Sequence, residues 1–346
     1  MFEGKRIVVT GGTGSLGGVL VNRLLSGVHG HPESVTVFSR DEAKQNAMRL
    51  EFEKRPKATD EVAYTDWRRA LRFHIGDVGD ESSVRTVLQH ADVVFNAAAL
   101  KQVPSCEYFP SQAVRTNVHG AENIVRVIQQ HQLPVETVVG ISTDKACKPV
   151  NVMGMTKALQ ERILIQANLD CPATRFVVAR YGNVLASRGS VIPLFLDQVE
   201  SGGPITLTTP EMTRFLMSLD QAVDTVIDAV AEAQGGEVYV PRVAAARMTD
   251  VAAAIVGSRP IDTVFTGIRP GEKVHEQLVS EEEAYRTVVR GNYLVIQPML
   301  PELRRSRDGD VPMDAEQYGS NDDLLSSAGV VDLLASHGFI QPAVVA

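Results

Sequence analysis

Through its first half the chain alternates short β-branched apolar runs with longer stretches in which apolar residues return at helical spacing. Residues 6–10 read Arg-Ile-Val-Val-Thr and run straight into glycines, the pattern of a strand buried on both faces. Over 15–26, Leu16, Val19, Leu20 and Leu24 fall on one side of a helix. The same rhythm predicts strands near 34–38, 71–75, 92–97, 136–142 and 175–181, and helices near 41–54, 80–90, 111–131 and 154–168. Strands alternating with helices build βαβ units, whose crossovers give a parallel sheet covered on both faces.

Residues 55–70 interrupt this order. They are polar, contain Pro56 and hold the sole tryptophan, Trp67, so they read as a surface insertion or as an oligomer contact anchored on Trp67. Beyond 185 the alternation weakens, and Gly202-Gly203-Pro204 marks a turn. A helix over 220–234 and a strand over 237–240 then resume the pattern, whereas 305–325 is polar and poorly patterned. A chain of 346 residues accommodates more than one lobe. The division expected is 1–184 for the main sheet, with 216–241 returning to it, and a smaller lobe from 185–215 and 242–346.

Composition narrows the class. The net charge is −8 with both signs mixed along the chain, which argues against a nucleic-acid binder with a basic face. Cys106, Cys147 and Cys171 are too few for a disulfide framework and suit a reducing cytoplasm. They show no metal-ligand spacing with histidine, so no metal is expected. No apolar run approaches the roughly 18 residues of a membrane span, and the N-terminus lacks the apolar core of a signal peptide.

Gly11, Gly14 and Gly17 sit between the first strand and the first helix, in Thr10-Gly11-Gly12-Thr13-Gly14-Ser15-Leu16-Gly17. Glycines there permit a tight turn and let backbone N–H groups and the helix N-terminus approach a pyrophosphate. Thr13, Ser15 and Leu16 belong to the same dinucleotide loop. The second strand ends in Ser39-Arg40, with Lys44 one turn on. NAD sites usually present a carboxylate at this point. A guanidinium suits the 2′-phosphate of NADP instead, unless Arg40 and Lys44 form a solvated helix start. Asp77 and Val78 follow the third strand, with Asp77 placed for an adenine amino group. Ala97, Ala98 and Ala99 end the fourth, leaving room for ribose and pyrophosphate.

Ser142-Thr143-Asp144-Lys145 closes the fifth strand, and Met153-Gly154-Met155-Thr156-Lys157 opens the next helix. Short-chain dehydrogenases carry Tyr-x-x-x-Lys on this helix, with both residues on one face. Lys157 fits that pattern, but Met153 occupies the tyrosine position and a thioether transfers no proton. These segments resemble the UDP-N-acetylglucosamine 4,6-dehydratases, a branch of the extended short-chain dehydrogenase/reductase superfamily. Ala98–Glu107, Arg180–Val184, Ser187–Phe195, Met212–Phe215 and Arg269–Lys273 are similar to the C5-inverting subgroup of capsule and O-antigen synthesis. The resemblance spans about 1–280.

This resemblance implies an α/β Rossmann-type doubly wound parallel sheet with a smaller C-terminal substrate-binding lobe. It implies a tightly held, recycled NADP and a UDP-sugar substrate, in a cytoplasmic homo-oligomer (dimer or hexamer) with no nucleic-acid or membrane partner. C4 is oxidised, water leaves across C5–C6, and hydride returns to C6. By resemblance Lys145 is the C5 base and Asp144 the acid at the C6 hydroxyl, with Thr143 orienting the C4 hydroxyl. A lysine base requires a depressed pKa, from burial or from a neighbouring cation such as Lys157. An acidic Asp144 requires the opposite shift, and both side chains meet one substrate only if the chain turns after the strand. Ser142, Asn117, Tyr181, Asn183, Lys101 and Lys157 complete the cofactor set. Lys101, Asn183, Arg188, Val191, Pro193, Arg214, Arg269 and Glu272 are the substrate candidates, with Leu194 and Phe195 as further walls for the uracil. The competing readings are a C5-retaining dehydratase, a UDP-sugar 4-epimerase, and a cofactor-binding sensor or scaffold without catalysis.

Overall fold

The computed structural model describes residues 1–54, 67–185 and 190–340. The reading of 55–66 and of the Trp67 side chain as an insertion or oligomer contact lies outside the described residues, as does Arg188.

Six parallel strands form the centre: β1 (Arg6–Thr10), β2 (Ser34–Ser39), β3 (Leu71–Ile75), β4 (Val93–Asn96), β5 (Thr137–Thr143) and β6 (Arg175–Tyr181). They run side by side as β3-β2-β1-β4-β5-β6, the order of a Rossmann-type doubly wound sheet. Alternation along each strand feeds two apolar layers. Val8, Val138 and Val178 pack with Val84, Leu88, Ile124, Ile128 and Leu164 on one face. Ile7, Val9, Val139 and Val177 pack with Leu20, Leu24, Val223, Val226 and Val230 on the other. The inner strands β1, β4, β5 and β6 are mostly apolar because both of their faces are covered, whereas the edge strand β3 carries Arg72 and His74 and leaves Ile75 exposed.

Past β6, Val238–Pro241 joins in parallel, with Val178 opposite Val238. Tyr293–Ile296, Thr287–Arg290 and Val311–Pro312 then extend the sheet in antiparallel fashion. These last strands fall inside 242–346, so that range contributes to the main sheet. A third apolar cluster, in which Ile192, Phe195 and Val199 meet Val251, Ile255, Val330 and Leu334, lies apart from the two that flank the sheet. Phe195 is fully enclosed there, so it packs the helix Val191–Glu200 rather than walling a uracil, and Leu194 points outward.

The helix expected over 111–131 is continuous in direction but widens at its middle. Pro110–Ala113 is α-helical, Val114–His119 is a π turn, and Gly120–His131 is α-helical again. Asn117 lies in the widened turn, where such distortions often serve a site.

Candidate functional site

The C-terminal ends of β1, β4, β5 and β6 converge on one side of the sheet, where doubly wound folds bind ligands. At the end of β1, Gly11 adopts φ +66°, and a Cβ there would come within 2.8 Å of the Ala97 and Ala98 backbone. A Cβ on Gly17 would lie 2.5 Å from the Gly11 carbonyl oxygen. Thr10 Oγ1 donates to Asn96 Oδ1 at 2.9 Å and accepts from the Ala98 N–H at 3.1 Å, which ties β1 to β4 beneath the loop. No side chain caps the helix Ser15–Leu25, so its first N–H groups are left for an anion. This cradle fits the pyrophosphate of a dinucleotide.

At the rim, Arg40 is largely exposed, and its Nη1 approaches Asp77 Oδ2 at 3.5 Å. Ser39 Oγ accepts from Gln45 Nε2 at 3.0 Å, and Lys44 pairs with Asp41 at 2.7 Å. Lys44 thus serves its own helix start, whereas Arg40 and Asp77 share the edge where an adenosine would lie.

β5 ends at Thr143, and Asp144–Ala146 form a tight 3₁₀ turn. The turn that two adjacent site residues require is therefore present. Asp144 is 1% exposed, and its Oδ1 accepts from Thr143 Oγ1 at 2.8 Å and from Lys145 Nζ at 3.1 Å. Its Oδ2 has no partner. Lys145 Nζ also lies 3.4 Å from Asn183 Oδ1 and 3.4 Å from Glu276 Oε1. Burial pushes the Lys145 ammonium toward a lower pKa. The charges of Asp144 and Glu276 outweigh that, against an opposing push from Arg214, and the net direction is upward. The depression expected at Lys145 is thus absent: two carboxylates face it, and Lys157 turns elsewhere.

Lys157 carries the depression instead. It is 5% exposed and donates to the Ile141 carbonyl and to Gln160 Oε1. Burial pulls it down to about 8, with Glu161 resisting. Met153 is buried in a small apolar cluster with Cys106 and Ala113, so no titratable group stands at that point of the helix. Gly154 lets the helix start lie close against the turn after β5, since a Cβ there would collide with the Lys145 carbonyl. Asn151 caps the helix by accepting from the Gly154 N–H at 2.8 Å, and its amide donates to the Gly271 carbonyl at 2.8 Å. The Arg269–Lys273 segment is thereby tied to the helix Val152–Asp170.

Several expected contacts face inward. Asn117 is fully buried; it donates to Thr156 Oγ1 at 2.9 Å and accepts from the Leu100 N–H at 2.8 Å. It fixes the loop after β4 and is not turned to a cofactor. Ser142 donates to Glu161 Oε1 at 2.5 Å, inside a buried network in which Arg180 binds both Glu161 and Glu283. Tyr181 is buried, and burial raises its hydroxyl pKa. Arg214 donates to the Thr213 and Val274 carbonyls at 2.7 and 3.1 Å while lying close enough to Lys145 to influence it. Glu272 accepts from Thr208 Oγ1 at 3.3 Å. Lys101 and Arg269 are exposed, and Val191 and Pro193 are half-buried at the start of their helix. Sequence reasoning missed Glu276, which carries no local signal. It also missed Asn151, whose position just ahead of a helix is an N-cap signal.

Among the described residues no helix is long and apolar enough to cross a membrane. A family model described as polysaccharide biosynthesis protein matches residues 7–298. Over 308 residues the chain is 41% identical to an uncharacterized membrane protein of Methanocaldococcus jannaschii, covering 86% of this chain and 87% of the relative. Over 288 residues it is 43% identical to the UDP-glucose 4-epimerase of Rickettsia conorii, covering 82% and 80%. The structure of Pen from Bacillus thuringiensis superposes with a TM-score of 0.87 at 30% identity, covering 98% of this chain and all of that one. DesIV, a dTDP-glucose 4,6-dehydratase of Streptomyces venezuelae solved with NAD bound, shares the fold at TM-score 0.65 and 21% identity, covering 78% and 86%.

Proposed function

Since the chain belongs to the polysaccharide biosynthesis protein family, we propose that it is a UDP-N-acetylglucosamine 4,6-dehydratase that inverts C5 and uses NADP. The observation that carries this reading is the Thr143–Asp144–Lys145 hydrogen-bonded chain at the end of β5, beside a buried methionine where a proton-transferring tyrosine would otherwise stand. A simple C4 oxidation needs one proton acceptor. Elimination of water across C5–C6 needs a base and an acid side by side, and the chain has both.

When bound, the dinucleotide supplies removal of hydride from C4 and its return to C6. The protein's residues handle protons and position. Thr143 Oγ1 accepts the C4 hydroxyl proton while passing its own to Asp144 Oδ1, along the 2.8 Å bond it already makes. This step leaves Asp144 as the neutral acid that the C6 hydroxyl requires on departure as water. Lys145, as a free amine, takes the C5 proton. Burial of Asp144 beneath the turn excludes solvent from these transfers. Arg40 is assigned to the 2′-phosphate, and Arg188, Arg214 and Arg269 to the sugar-nucleotide diphosphate.

A second reading, 4-epimerisation, draws on the similarity to the Rickettsia enzyme. Incubation of purified protein with UDP-N-acetylglucosamine in deuterated water separates the two. The dehydratase gives a product lighter by one water, with deuterium at C5 and an L-configured ring by NMR. An epimer of unchanged mass, or no conversion by protein that binds NADP, overturns the proposal.

A further inference from the structure

Lys145 stands between two buried carboxylates that differ in their surroundings. Asp144 Oδ1 accepts two hydrogen bonds, from Thr143 Oγ1 and Lys145 Nζ. Glu276 is 2% exposed; its Oε1 lies 3.4 Å from Lys145 Nζ, and its Oε2 has no partner. The Glu276 backbone is pinned on both sides of Ser320: its N–H donates to Ser320 Oγ at 2.9 Å, and its carbonyl accepts from the Ser320 N–H at 2.8 Å. The other groups facing Lys145 are Arg214, from the strand Thr213–Phe215, and the neutral side chains of Asn183 and Thr143.

A lysine held between two carboxylates rests as an ammonium ion. It becomes a base only after giving up a proton, and in a closed site that proton needs a local acceptor. Asp144 Oδ1 already accepts two hydrogen bonds, from Thr143 Oγ1 and Lys145 Nζ. In the mechanism proposed above it is also reserved for the C4 hydroxyl proton. Glu276 is buried, sits 3.4 Å from Lys145 Nζ and leaves its Oε2 bare, so it is the carboxylate left to receive the proton.

We propose that Glu276 is the proton store of Lys145: a positioning residue that touches no substrate atom and acts through the lysine. This inference rests on the dehydratase reading. The protons balance over a full turnover. Lys145 passes one proton to Glu276, giving an amine and a carboxylic acid. The amine takes the C5 proton and becomes an ammonium again, while Asp144 protonates the departing hydroxyl. After hydride returns to C6, water protonates the enolate on the opposite face of C5, Lys145 gives a proton to the hydroxide left behind, and Glu276 restores the proton to the amine. All three residues end as they began, and no outside acid or base is consumed.

The test is deuterium incorporation at C5 of UDP-N-acetylglucosamine in deuterated water, followed against pH for the wild type and for E276Q, with cofactor binding and melting recorded for both. E276Q is expected to lose at least tenfold of the incorporation rate near neutral pH and to recover as the pH rises, when hydroxide removes the proton from Lys145. E276D, which keeps a carboxylate, is expected to retain more of the neutral-pH rate than E276Q. If Glu276 only supplied negative charge, its removal would ease loss of the lysine proton, so an E276Q rate equal to or above wild type near neutral pH overturns the proposal. A loss that no pH restores, in protein that still binds cofactor, overturns it too. Absence of C5 deuterium from wild-type product instead overturns the dehydratase reading itself, and the proton store with it.

Discussion

Gly154 packs its bare Cα against the carbonyl of Lys145, and the two residues belong to different elements: a helix start and the turn after β5. The approach is closer than any Cβ tolerates, and the obstacle is backbone. Gly154→Ala is expected to push the Asp144–Ala146 turn away from the helix. Overpacking of this kind costs about 1–3 kcal/mol. Displacing Lys145 should reduce turnover further than that stability loss explains. Thermal melting and steady-state turnover on the same preparation check this; a variant with a lowered melting temperature but unchanged turnover per folded molecule contradicts it.

A second prediction separates two glycines of the same loop and helix. Gly11 has φ +66°, and its Cβ would meet the Ala97 and Ala98 backbone, whereas a Cβ on Gly18 meets nothing within 4 Å. Gly11→Ala is expected to abolish the rise in melting temperature that NADP produces. Gly18→Ala should keep that rise and gain up to about 1 kcal/mol of helix stability. Equal NADP responses in the two variants would show that the cradle does not bind the cofactor.

How far the sequence spoke depended on the range over which its signals act. Strands β1, β2, β4, β5 and β6 were legible because burial on both faces makes them largely apolar, β-branched runs between helices of clear period, and the edge strand β3 was legible from its place in that rhythm. The hairpin Thr287–Arg290 with Tyr293–Ile296 was not read, although Gly291-Asn292 between two β-branched stretches is a hairpin signal. It follows a weakly patterned stretch and pairs with a strand about fifty residues earlier in the chain. Within the site, residue type marked Asp144 and Lys145, but orientation did not show. Asn117 and Ser142 are polar residues near a cofactor loop, yet both turn inward to hold Leu100, Thr156 and Glu161. Glu276 meets Lys145 across more than a hundred residues of chain, beyond any local pattern.

Arg40 gives a prediction of cofactor choice. Its guanidinium is largely exposed at the end of β2, with Asp77 its ion-pair partner at 3.5 Å. An exposed pair of that length contributes little to folding, so the side chain is available to a 2′-phosphate. A charge-assisted hydrogen bond is worth about 1.5–3 kcal/mol. Arg40→Ala is therefore expected to weaken NADP binding by roughly ten- to a hundredfold, with NAD affinity nearly constant. Calorimetric titration with both dinucleotides checks this; parallel losses for the two would remove Arg40 from the 2′-phosphate.

Arg180 offers a test of stability and its pH dependence apart from catalysis. It is 2% exposed and binds Glu161 and Glu283 through paired hydrogen bonds of 2.6–2.9 Å, which join β6, the helix Val152–Asp170 and the segment after Leu278. Burial alone would raise the Glu283 carboxyl, but the charge and hydrogen bonds of Arg180 hold it down to about 2, below its ordinary value of 4.5. A carboxylate depressed by folding stabilises the native state fully above the ordinary value, and that contribution drains away as the pH falls toward the folded one. The melting temperature of the wild type should therefore drop progressively from about pH 4.5 toward pH 2. Arg180→Leu leaves both carboxylates buried without the guanidinium, at a cost of about 3–5 kcal/mol near neutral pH. In that variant Glu283 no longer gains from being ionised, so acid should cost it less than it costs the wild type. Melting curves of the two proteins across this range decide the matter: curves that fall in parallel would mean that Arg180 does not hold Glu283 in its charged form.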